Sequence, residues 1–427
     1  MSGYPLAPAS GRLREMSESL QLNGERLWAR LERLGQVGAL VGGGVSRLAL
    51  SDADRAGRDL LVSWMHELGL DVEIDRIGNI SGTRRGTRTG AAVMTGSHID
   101  SVRAGGRFDG SLGVLAGLEV VERWNELGIE TQRPLVVSAF TNEEGARFAP
   151  DMLGSAVHQG ALDLDAMLEV HGIDGARLGD ELERIGYAGT APVAARRPSA
   201  YVELHVEQGP VLEREGFEIG AVEAVQGISW TELTFDGTPN HAGTTPMNQR
   251  LDALHVVAQL ACEVRRVVEA IGGAAVGTVG RIEVQPNLVN VVPGSVLCTV
   301  DLRNTIESLL REAEAQCFES ARRFAAEEGV RLTSRSLARF EPVPFDEGVI
   351  STVERCAQAR GCKTRRLPSG AGHDAQMFAP HAPTGMIFVP SKGGISHNPA
   401  EWTSPDECLA GAEVLQDVLR ELADAPR

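Results

Sequence analysis

The sequence has few cysteines, no long apolar run and too few basic residues to balance its acidic ones. Its six cysteines include no CxxC pair, so reduced thiols in a cytoplasmic protein are the simplest expectation. No apolar run approaches the roughly 20 residues that span a bilayer, and Met1–Ser19 lacks the charged-then-apolar pattern of a secretion signal. The formal net charge is −17, and an acidic surface repels nucleic acids and anionic membranes. We therefore expect a protein that binds neither.

The size and composition of the chain indicate a two-domain α/β protein. At 427 residues it is too long for one ordinary core. Its 42% hydrophobic content and 49 glycines are typical of a globular protein with many tight turns. Apolar runs at 91–95 and 135–141 predict strands on either side of a helix at 113–126. Strands that alternate with helices predict a largely parallel sheet, whose active site lies beyond the carboxyl ends of the strands.

The pattern changes near residue 220. The predicted strands and helices that follow are 228–235, 251–271, 277–284, 295–302, 306–329 and 330–336. Their order, β-α-β-β-α-β, is that of a small ferredoxin-like domain. The α/β pattern returns after about residue 340, with a strand at 384–389 and a final helix from 404 to 422. We therefore predict a mixed α/β catalytic domain, with a largely parallel sheet, formed by residues 1–219 and 341–427, and an inserted ferredoxin-like α+β domain at 220–340.

The first chemically informative stretch is residues 97–110. It offers an imidazole at His98, a carboxylate at Asp100 and a second carboxylate at Asp109, held in glycine-rich turns. Nitrogen and oxygen ligands without cysteine suit zinc, manganese or cobalt. Taken alone, such a stretch is as consistent with a polar surface loop as with a metal site.

The second informative stretch places two adjacent glutamates, Glu143 and Glu144, directly after the apolar run that ends at Phe140. A glutamate beside a metal-ligating glutamate puts a general base next to the reacting water of a metallohydrolase. The presence of both stretches in one chain favours a metal site over two surface loops.

Two further histidines have ligand-like contexts. His205 ends the alternating run that begins at Tyr201, and His397 lies in a Gly-Gly-Ile-Ser-His stretch just after a predicted buried strand. Four other histidines lie in predicted helices or turns and are expected to be structural: His66, His158, His171 and His255.

Seven segments in this chain, between residues 96 and 402, resemble a known family in the same order. They are GSHIDSVRAGGRFDGSLGVLAGLEV, FTNEEGARFAPDMLGS, ELHVEQGPVLE, NHAGTTPM, QPNLVNVVPG, SGAGHDAQMFA and GGISHNPAEW. The family is the amidohydrolases of the aminoacylase and carboxypeptidase type. The segments are most similar to the branch that contains N-carbamoyl-L-amino acid hydrolases, β-ureidopropionases and allantoate amidohydrolases. The resemblance implies hydrolysis of the ureido C–N bond of an N-carbamoyl-L-amino acid to the amino acid, ammonia and carbon dioxide.

The resemblance also implies a binuclear centre with two divalent ions per chain, of zinc, manganese, cobalt or nickel. Its ligands would be His98 and His205 for one ion, Glu144 and His397 for the other, and Asp109 as the bridge. Glu143 would be the general base. Asp100 would be the carboxylate that orients a ligand imidazole.

The same resemblance implies substrate contacts. Arg303 would bind the substrate carboxylate, a task that suits the bidentate guanidinium group. His241 would close over the substrate from the partner subunit of a homodimer and stabilise the oxyanion, which makes the inserted domain a lid and dimerisation domain. Without the resemblance, His241 reads as an ordinary turn histidine. Further contacts would come from Asn290, Gln226 and Gly372.

One stretch departs from the allantoate enzymes of that family. They carry Gly-Gln-Arg-Arg-Tyr at the entry to the small domain, whereas this chain has Gln226-Gly-Ile-Ser-Trp230, so that Ile228 replaces a substrate-contacting glutamine. This disfavours allantoate without eliminating it or another ureido acid. An N-acyl amino acid deacylase or peptidase is a further alternative, because one metal site serves several such reactions. A catalytically silent binding protein would have lost Glu143 or a metal ligand, and this chain retains them.

Overall fold

The computed structural model describes residues 21–193 and 197–425, so Met1–Ser19 lies outside it. The helices are α1 (Gly24–Gly35), α2 (Asp52–Glu67), α3 (Ser111–Glu126), α4 (Leu153–Gln159), α5 (Leu164–Leu168), α6 (Leu178–Ile185), α7 (Val211–Glu215), α8 (Ala253–Ile271), α9 (Glu307–Glu328), α10 (Glu347–Ala359), α11 (Ala375–Phe378) and α12 (Pro405–Asp424). The strands are β1 (Asp71–Ile74), β2 (Ile80–Arg84), β3 (Val93–His98), β4 (Leu135–Phe140), β5 (Ala200–Val206), β6 (Ile219–Val225), β7 (Gly227–Asp236), β8 (Asn240–His241), β9 (Val276–Gln285), β10 (Val291–Val292), β11 (Ser295–Asn304), β12 (Arg331–Phe340), β13 (Val343–Pro344), β14 (Thr364–Ser369) and β15 (Thr384–Val389). Short 3₁₀ turns lie at Met247–Gln249 and Lys392–Gly394.

The chain divides into two compact units. The first contains Met1–Glu223 and Phe345–Arg427, and the second contains Ala224–Pro344. The second unit is therefore continuous in sequence and interrupts the first.

The first unit is built on one sheet, with the strand order β1-β2-β4-β3-β5-β15-β6 and with β14 beside β6. The four central strands β4, β3, β5 and β15 run parallel, whereas β2 and β6 join them antiparallel on the two flanks. The predicted mixed α/β fold with a largely parallel central sheet is confirmed.

Burial explains why the central strands were recognisable in the sequence. Every residue of these four strands is buried. Helices α3 and α12 contact each other and pack on one face of the sheet, and the short helices α4 and α11 contact β4, β5 and β15 from the other face. A strand covered on both faces appears as a continuous apolar run rather than as an alternating one. The predicted strand at 384–389 has these bounds in the structure.

Side-chain caps define two of the helix starts. The Ser51 hydroxyl accepts the N–H of Asp54 at 3.2 Å and begins α2. Ser404 begins α12 with a reciprocal capping box, in which Glu407 accepts the backbone N–H of Ser404 at 2.8 Å. Such caps satisfy backbone donors that have no partner inside the helix.

The second unit is a four-stranded antiparallel sheet in the order β12-β7-β11-β9. Helices α8 and α9 pack on one face, where their apolar residues form a core with the inward side chains of β7 and β11. Strand β11 alternates between partly and fully buried positions, as expected for a sheet covered on one side.

None of the described helices is long and apolar enough to cross a membrane. The six cysteines form no disulfide.

Candidate metal centre

The carboxyl ends of the parallel strands bring the predicted ligands together in the first unit. His98 is the last residue of β3, His205 lies at the end of β5, and Glu144 follows β4. His397 lies in the loop after β15. Loops at this edge of a parallel sheet converge, so ligands far apart in sequence become neighbours.

Asp109 lies between two groups of ligands and faces each with a different oxygen. Its Oδ1 is 3.5 Å from His98 Nε2 and 3.2 Å from His205 Nε2. Its Oδ2 is 3.5 Å from His397 Nε2, which is itself 3.2 Å from Glu144 Oε2. In each group the ligand atoms lie within 4.8 Å of one another. This is the arrangement that a carboxylate bridging two cations requires.

The two groups differ in exposure. His98 and His205 are almost fully buried, whereas the side chain of His397 is 52% exposed. One candidate ligand group is therefore enclosed by protein and the other opens towards solvent.

Backbone carbonyls orient both buried imidazoles. His98 Nδ1 is 3.0 Å from the carbonyl oxygen of Asp100, and His205 Nδ1 is 2.9 Å from that of Val206. A carbonyl only accepts, so each Nδ1 carries a proton, and in the neutral ring Nε2 presents its lone pair. The N–H of Gly110 donates to His205 Nε2 at 3.1 Å, in agreement with this tautomer. Nε2 is the atom that faces Asp109, and a metal ligand needs that unprotonated nitrogen.

The carboxylate of Asp100 contacts the turn of the two glutamates, whereas the prediction placed it on a ligand imidazole. Its carboxylate is 3.9 Å from His98 Nδ1, beyond hydrogen-bond distance, and the backbone oxygen orients the ring instead. The carboxylate accepts the backbone N–H groups of Glu143 at 3.2 Å and of Glu144 at 3.4 Å. Asp100 therefore holds the turn that carries both glutamates.

The two adjacent glutamates occupy different positions. Glu144 belongs to the ligand group with Asp109 and His397. Glu143 lies outside both groups that contain Asp109, and its Oε2 is 3.4 Å from His98 Nε2. It thus lies beside the ligand cluster with its carboxylate turned towards it.

The electrostatics of the cluster fit divalent cations. Burial raises the pKa of Glu143 and of Glu144 well above the ordinary glutamate value, and the neighbouring carboxylates raise it further. Burial lowers the pKa of His98, but the charges of Glu143 and Asp109 outweigh it and hold this pKa well above the ordinary value. The cluster therefore stabilises positive charge where the ligand atoms converge, and bound cations would supply it.

The ion-pair partners of the acidic residues in and beside the ligand groups also fit bound cations. Among the described residues, the partners of Asp109, Glu143 and Glu144 are histidines, not lysine or arginine. Burial would raise the pKa of Asp109, but the adjacent imidazoles of His205 and His98 hold it well below its ordinary value when they carry positive charge. An oxygen and nitrogen donor set of this kind suits zinc, manganese, cobalt or nickel.

Several residues at the site have backbone angles that side chains rarely adopt. Asn142, Gln208 and His397 have positive φ values of 57°, 58° and 50°. Gly110 also has a positive φ, and a Cβ there would lie 2.5 Å from the ring of His98. Such strained positions cluster at functional sites, because the surrounding structure must hold them in place.

Gln208 was not among the predicted site residues. Its Nε2 donates to Asp109 Oδ2 at 2.9 Å, while its Oε1 is buried without a hydrogen-bond partner in the described structure. Its only indication in the sequence was that it follows the candidate ligand His205 by three residues.

Glu401 was also missed. It is a buried carboxylate that accepts the backbone N–H groups of Phe108 and Asp109. Burial and the charge of Asp109 raise the pKa of Glu401 to about 7. No local pattern in the sequence distinguishes Glu401 from an ordinary surface glutamate.

A third group of possible ligands contains Glu203, His205 and His373. Glu203 already accepts hydrogen bonds from Ser97 at 2.6 Å and from the N–H of Ala375 at 2.8 Å. The His373 ring packs against His205 and lies 2.8 Å from the hydroxyl of Ser369. These protein partners make the third group a support for His205 rather than an additional metal position.

In the second unit, His241 ends the short strand β8, and Asn290 directly precedes its neighbour β10. β8 pairs with β10, and the carbonyl oxygen of Asn290 accepts the N–H of Ala242 at 2.9 Å. The exposed His241 ring accepts the N–H groups of Gly243 at 3.0 Å and Thr244 at 3.3 Å through Nδ1. The proton of the neutral ring is therefore on Nε2, so that His241 offers a hydrogen-bond donor.

Arg303 lies near the end of β11, and Gln226 precedes β7. The Arg303 guanidinium pairs with Asp301 at 2.9 Å and lies 5.8 Å from the ring centre of Trp230. Gln226 Nε2 donates to the carbonyl of Ala274 at 3.0 Å. In the first unit, a Cβ at Gly372 would approach Met152 to 3.0 Å, so this turn is close-packed.

Comparison with known proteins identifies the family. Residues 94–421 match the model of peptidase family M20/M25/M40. The chain belongs to this family. An N-carbamoyl-L-amino-acid amidohydrolase of Rhizobium meliloti is 43% identical over 95% of this chain and 98% of its own length. An allantoate amidohydrolase of Escherichia coli K12 is 35% identical over 91% of this chain and 96% of its own length.

A solved structure is similar to this chain over almost its full length. It is an amidase of the hydantoinase/carbamoylase family from Burkholderia multivorans, 44% identical, with a TM-score of 0.94 over 96% of this chain and 100% of that one. The resemblance predicted from the seven sequence segments is confirmed, and so is the prediction of an amidohydrolase. The ligand clusters are compatible with a metal-dependent member of the M20 family.

Proposed function

We propose that this M20 family member hydrolyses the ureido C–N bond of N-carbamoyl-L-amino acids and uses two divalent metal ions per chain. The observation that carries the proposal is the position of Asp109 between two ligand groups, with Glu143 beside them. The relatives named as N-carbamoyl-L-amino-acid amidohydrolases support the substrate class. The free cysteines fit a reducing compartment, so we place the enzyme in the cytoplasm.

The site residues would divide the reaction among them. When bound, the metal ions would lower the pKa of water and polarise the ureido carbonyl. Glu143 would take a proton from the attacking water and deliver it to the leaving nitrogen. Arg303 would hold the substrate carboxylate, and His241 would donate from Nε2 to the developing oxyanion.

The alternative substrate is allantoate or a β-ureidopropionase-type ureido acid. Relatives named allantoate amidohydrolase support it, whereas Ile228 in place of the glutamine of those enzymes favours carbamoyl amino acids. An N-acyl amino acid deacylase or peptidase is less favoured, although the same metal site serves those reactions.

An activity screen tests the proposal directly. Metal-free protein would be reloaded with Mn²⁺, Co²⁺, Zn²⁺ or Ni²⁺ and assayed against N-carbamoyl-L-amino acids, allantoate, β-ureidopropionate and N-acyl amino acids. We expect roughly two bound ions per chain and the highest kcat/KM on an N-carbamoyl-L-amino acid. Ammonia release from allantoate or β-ureidopropionate, with no activity on N-carbamoyl-L-amino acids, would assign one of those ureido acids as the substrate. Absence of both metal and turnover would favour a binding protein.

We also propose a homodimer formed through residues 220–340, in which His241 of the partner subunit completes each active site. The support is the family resemblance together with the exposed donor nitrogen that the backbone contacts of His241 leave on its ring.

Subunit complementation tests the shared site. Neither a His241→Ala nor a Glu143→Gln homodimer contains an intact site. A mixed dimer would contain one, formed by Glu143 of one subunit and His241 of the other. With free exchange, half of the dimers are mixed, so activity is expected to recover to roughly a quarter of the parent value.

The control is a double variant that carries both substitutions, mixed with the His241→Ala chain, because no pairing of these chains restores a site. Native mass spectrometry would verify that subunits exchange. Proven exchange without recovery would mean that His241 acts within its own chain or has no role in catalysis.

A further inference from the structure

The buried carboxylate of Glu401 contacts the loop that carries Asp109 and the loop that carries His397. Its Oε1 accepts the backbone N–H groups of Phe108 and Asp109, each at 3.1 Å. The residue is 4% exposed. Asp109 therefore has its backbone fixed by a side chain that lies 292 positions away in the sequence.

The second oxygen of Glu401 reaches the loop of His397 through a hydroxyl group. The Ser396 Oγ lies 3.4 Å from Glu401 Oε2 and 3.3 Å from Asp109 Oδ2. Ser396 is the residue directly before His397. One carboxylate thus connects the backbone of the bridging ligand, its side-chain oxygen and the loop of a second ligand.

The glycine at position 106 leaves room for this contact. A Cβ at Gly106 would lie 2.0 Å from Glu401 Oε1 and 2.1 Å from its carboxyl carbon. Gly106 has no left-handed backbone angle that would itself demand glycine. The absence of a side chain here is therefore explained by the position of the Glu401 carboxylate.

We propose that Glu401 is a positioning residue that sets Asp109 and His397 relative to each other and so determines the affinity of the more exposed metal position. This inference rests on the proposed metal centre. Displacement of Glu401 would disturb two of the three ligands in the group Asp109, Glu144 and His397. In the group His98, Asp109 and His205 it would disturb one.

Metal titration of the full-length protein, freed of metal, tests the proposal without an activity assay. Calorimetric titration with Mn²⁺ or Zn²⁺ would compare the parent with Glu401→Ala, Glu401→Gln and Gly106→Ala. For Glu401→Ala we expect roughly 10- to 100-fold weaker binding of one ion, with a smaller loss for the other. Gly106→Ala is expected to show the same pattern, because the new methyl group would displace the carboxylate.

Glu401→Gln is the conservative variant. Its amide oxygen can accept both N–H groups and its amide nitrogen can donate to Ser396, so we expect both affinities within a few-fold of the parent. The control for general destabilisation is Glu119→Ala. It removes another fully buried glutamate, which accepts the N–H of Asn23 at 3.0 Å and contacts no metal ligand in the described structure.

Thermal melting of each metal-free variant would show that it folds. Parent affinities for both ions in Glu401→Ala and Gly106→Ala would overturn the proposal, as would an equal loss in Glu119→Ala. If Glu401→Ala does not fold, the metal affinities of Gly106→Ala and Glu401→Gln test the proposal. Parent affinities in Gly106→Ala would then overturn it. These isotherms measure metal binding and do not depend on which substrate the enzyme uses. The role of Glu401 can therefore be contradicted while the proposed substrate stands, and the reverse.

Discussion

Replacement of Glu143 by glutamine is expected to lower kcat on the best substrate by roughly a hundred- to ten-thousand-fold or more, with two metal ions still bound. Glutamine has the shape of glutamate but cannot accept and return a proton. The side chain is buried, and its turn is held by the carboxylate of Asp100. The substitution therefore removes the proton acceptor and leaves the turn in place. Stopped assays for ammonia, together with metal analysis of the same sample, would measure both quantities.

The matched control is Glu144→Gln, one residue away on the same turn. Glu144 Oε2 lies 3.2 Å from His397 Nε2 in a ligand group. This variant is expected to lose metal affinity first and activity as a consequence. If Glu143→Gln retains half of the parent turnover, Glu143 is not the base. Undiminished metal content in Glu144→Gln would contradict its role as a ligand.

Replacement of Arg303 by alanine is expected to raise KM strongly for substrates that carry a carboxylate and much less for uncharged ureido analogues. Loss of one partner of a desolvated charge pair costs roughly 2–5 kcal/mol. At about 1.4 kcal/mol per tenfold change, this corresponds to a roughly 30-fold to several-thousand-fold loss in kcat/KM. The guanidinium is partly buried and lies over Trp230, an environment in which charge pairing is stronger than in open solvent.

Two variants separate recognition from structure. Arg303→Lys keeps the charge but loses the bidentate geometry, so we expect an intermediate loss. Asp301→Asn removes the carboxylate that pairs with Arg303 at 2.9 Å and leaves the guanidinium for the substrate. If Arg303 were needed only for that pair, Asp301→Asn would impair the enzyme as much as Arg303→Ala does. Equal losses on charged and uncharged substrates would likewise assign Arg303 a structural role.

The long elements of the fold were predictable because their periodicity reflects burial. Strands β3, β4 and β15 are buried on both faces and contain apolar runs, whereas β5 alternates in sequence although it is also fully buried. Helix α3 follows the glycine turn after Asp109. The short helices α4, α5 and α6 were not predicted individually. Helices of five to eight residues are too short to show a clear repeat of 3.6 residues.

The sequence by itself determined the residue types of the candidate metal site, because histidine and carboxylate side chains stand at the ends of recognisable strands. Only the tertiary structure decided how these residues are used. It places the two oxygens of Asp109 towards different histidines, and it directs the carboxylate of Asp100 to the glutamate turn instead of the His98 ring. It also brings Glu401 onto the backbone of Asp109, 292 residues away. The physical reason is that the local sequence pattern shows which face of a segment is buried. Hydrogen bonds between loops depend instead on which strands are neighbours in the folded sheet.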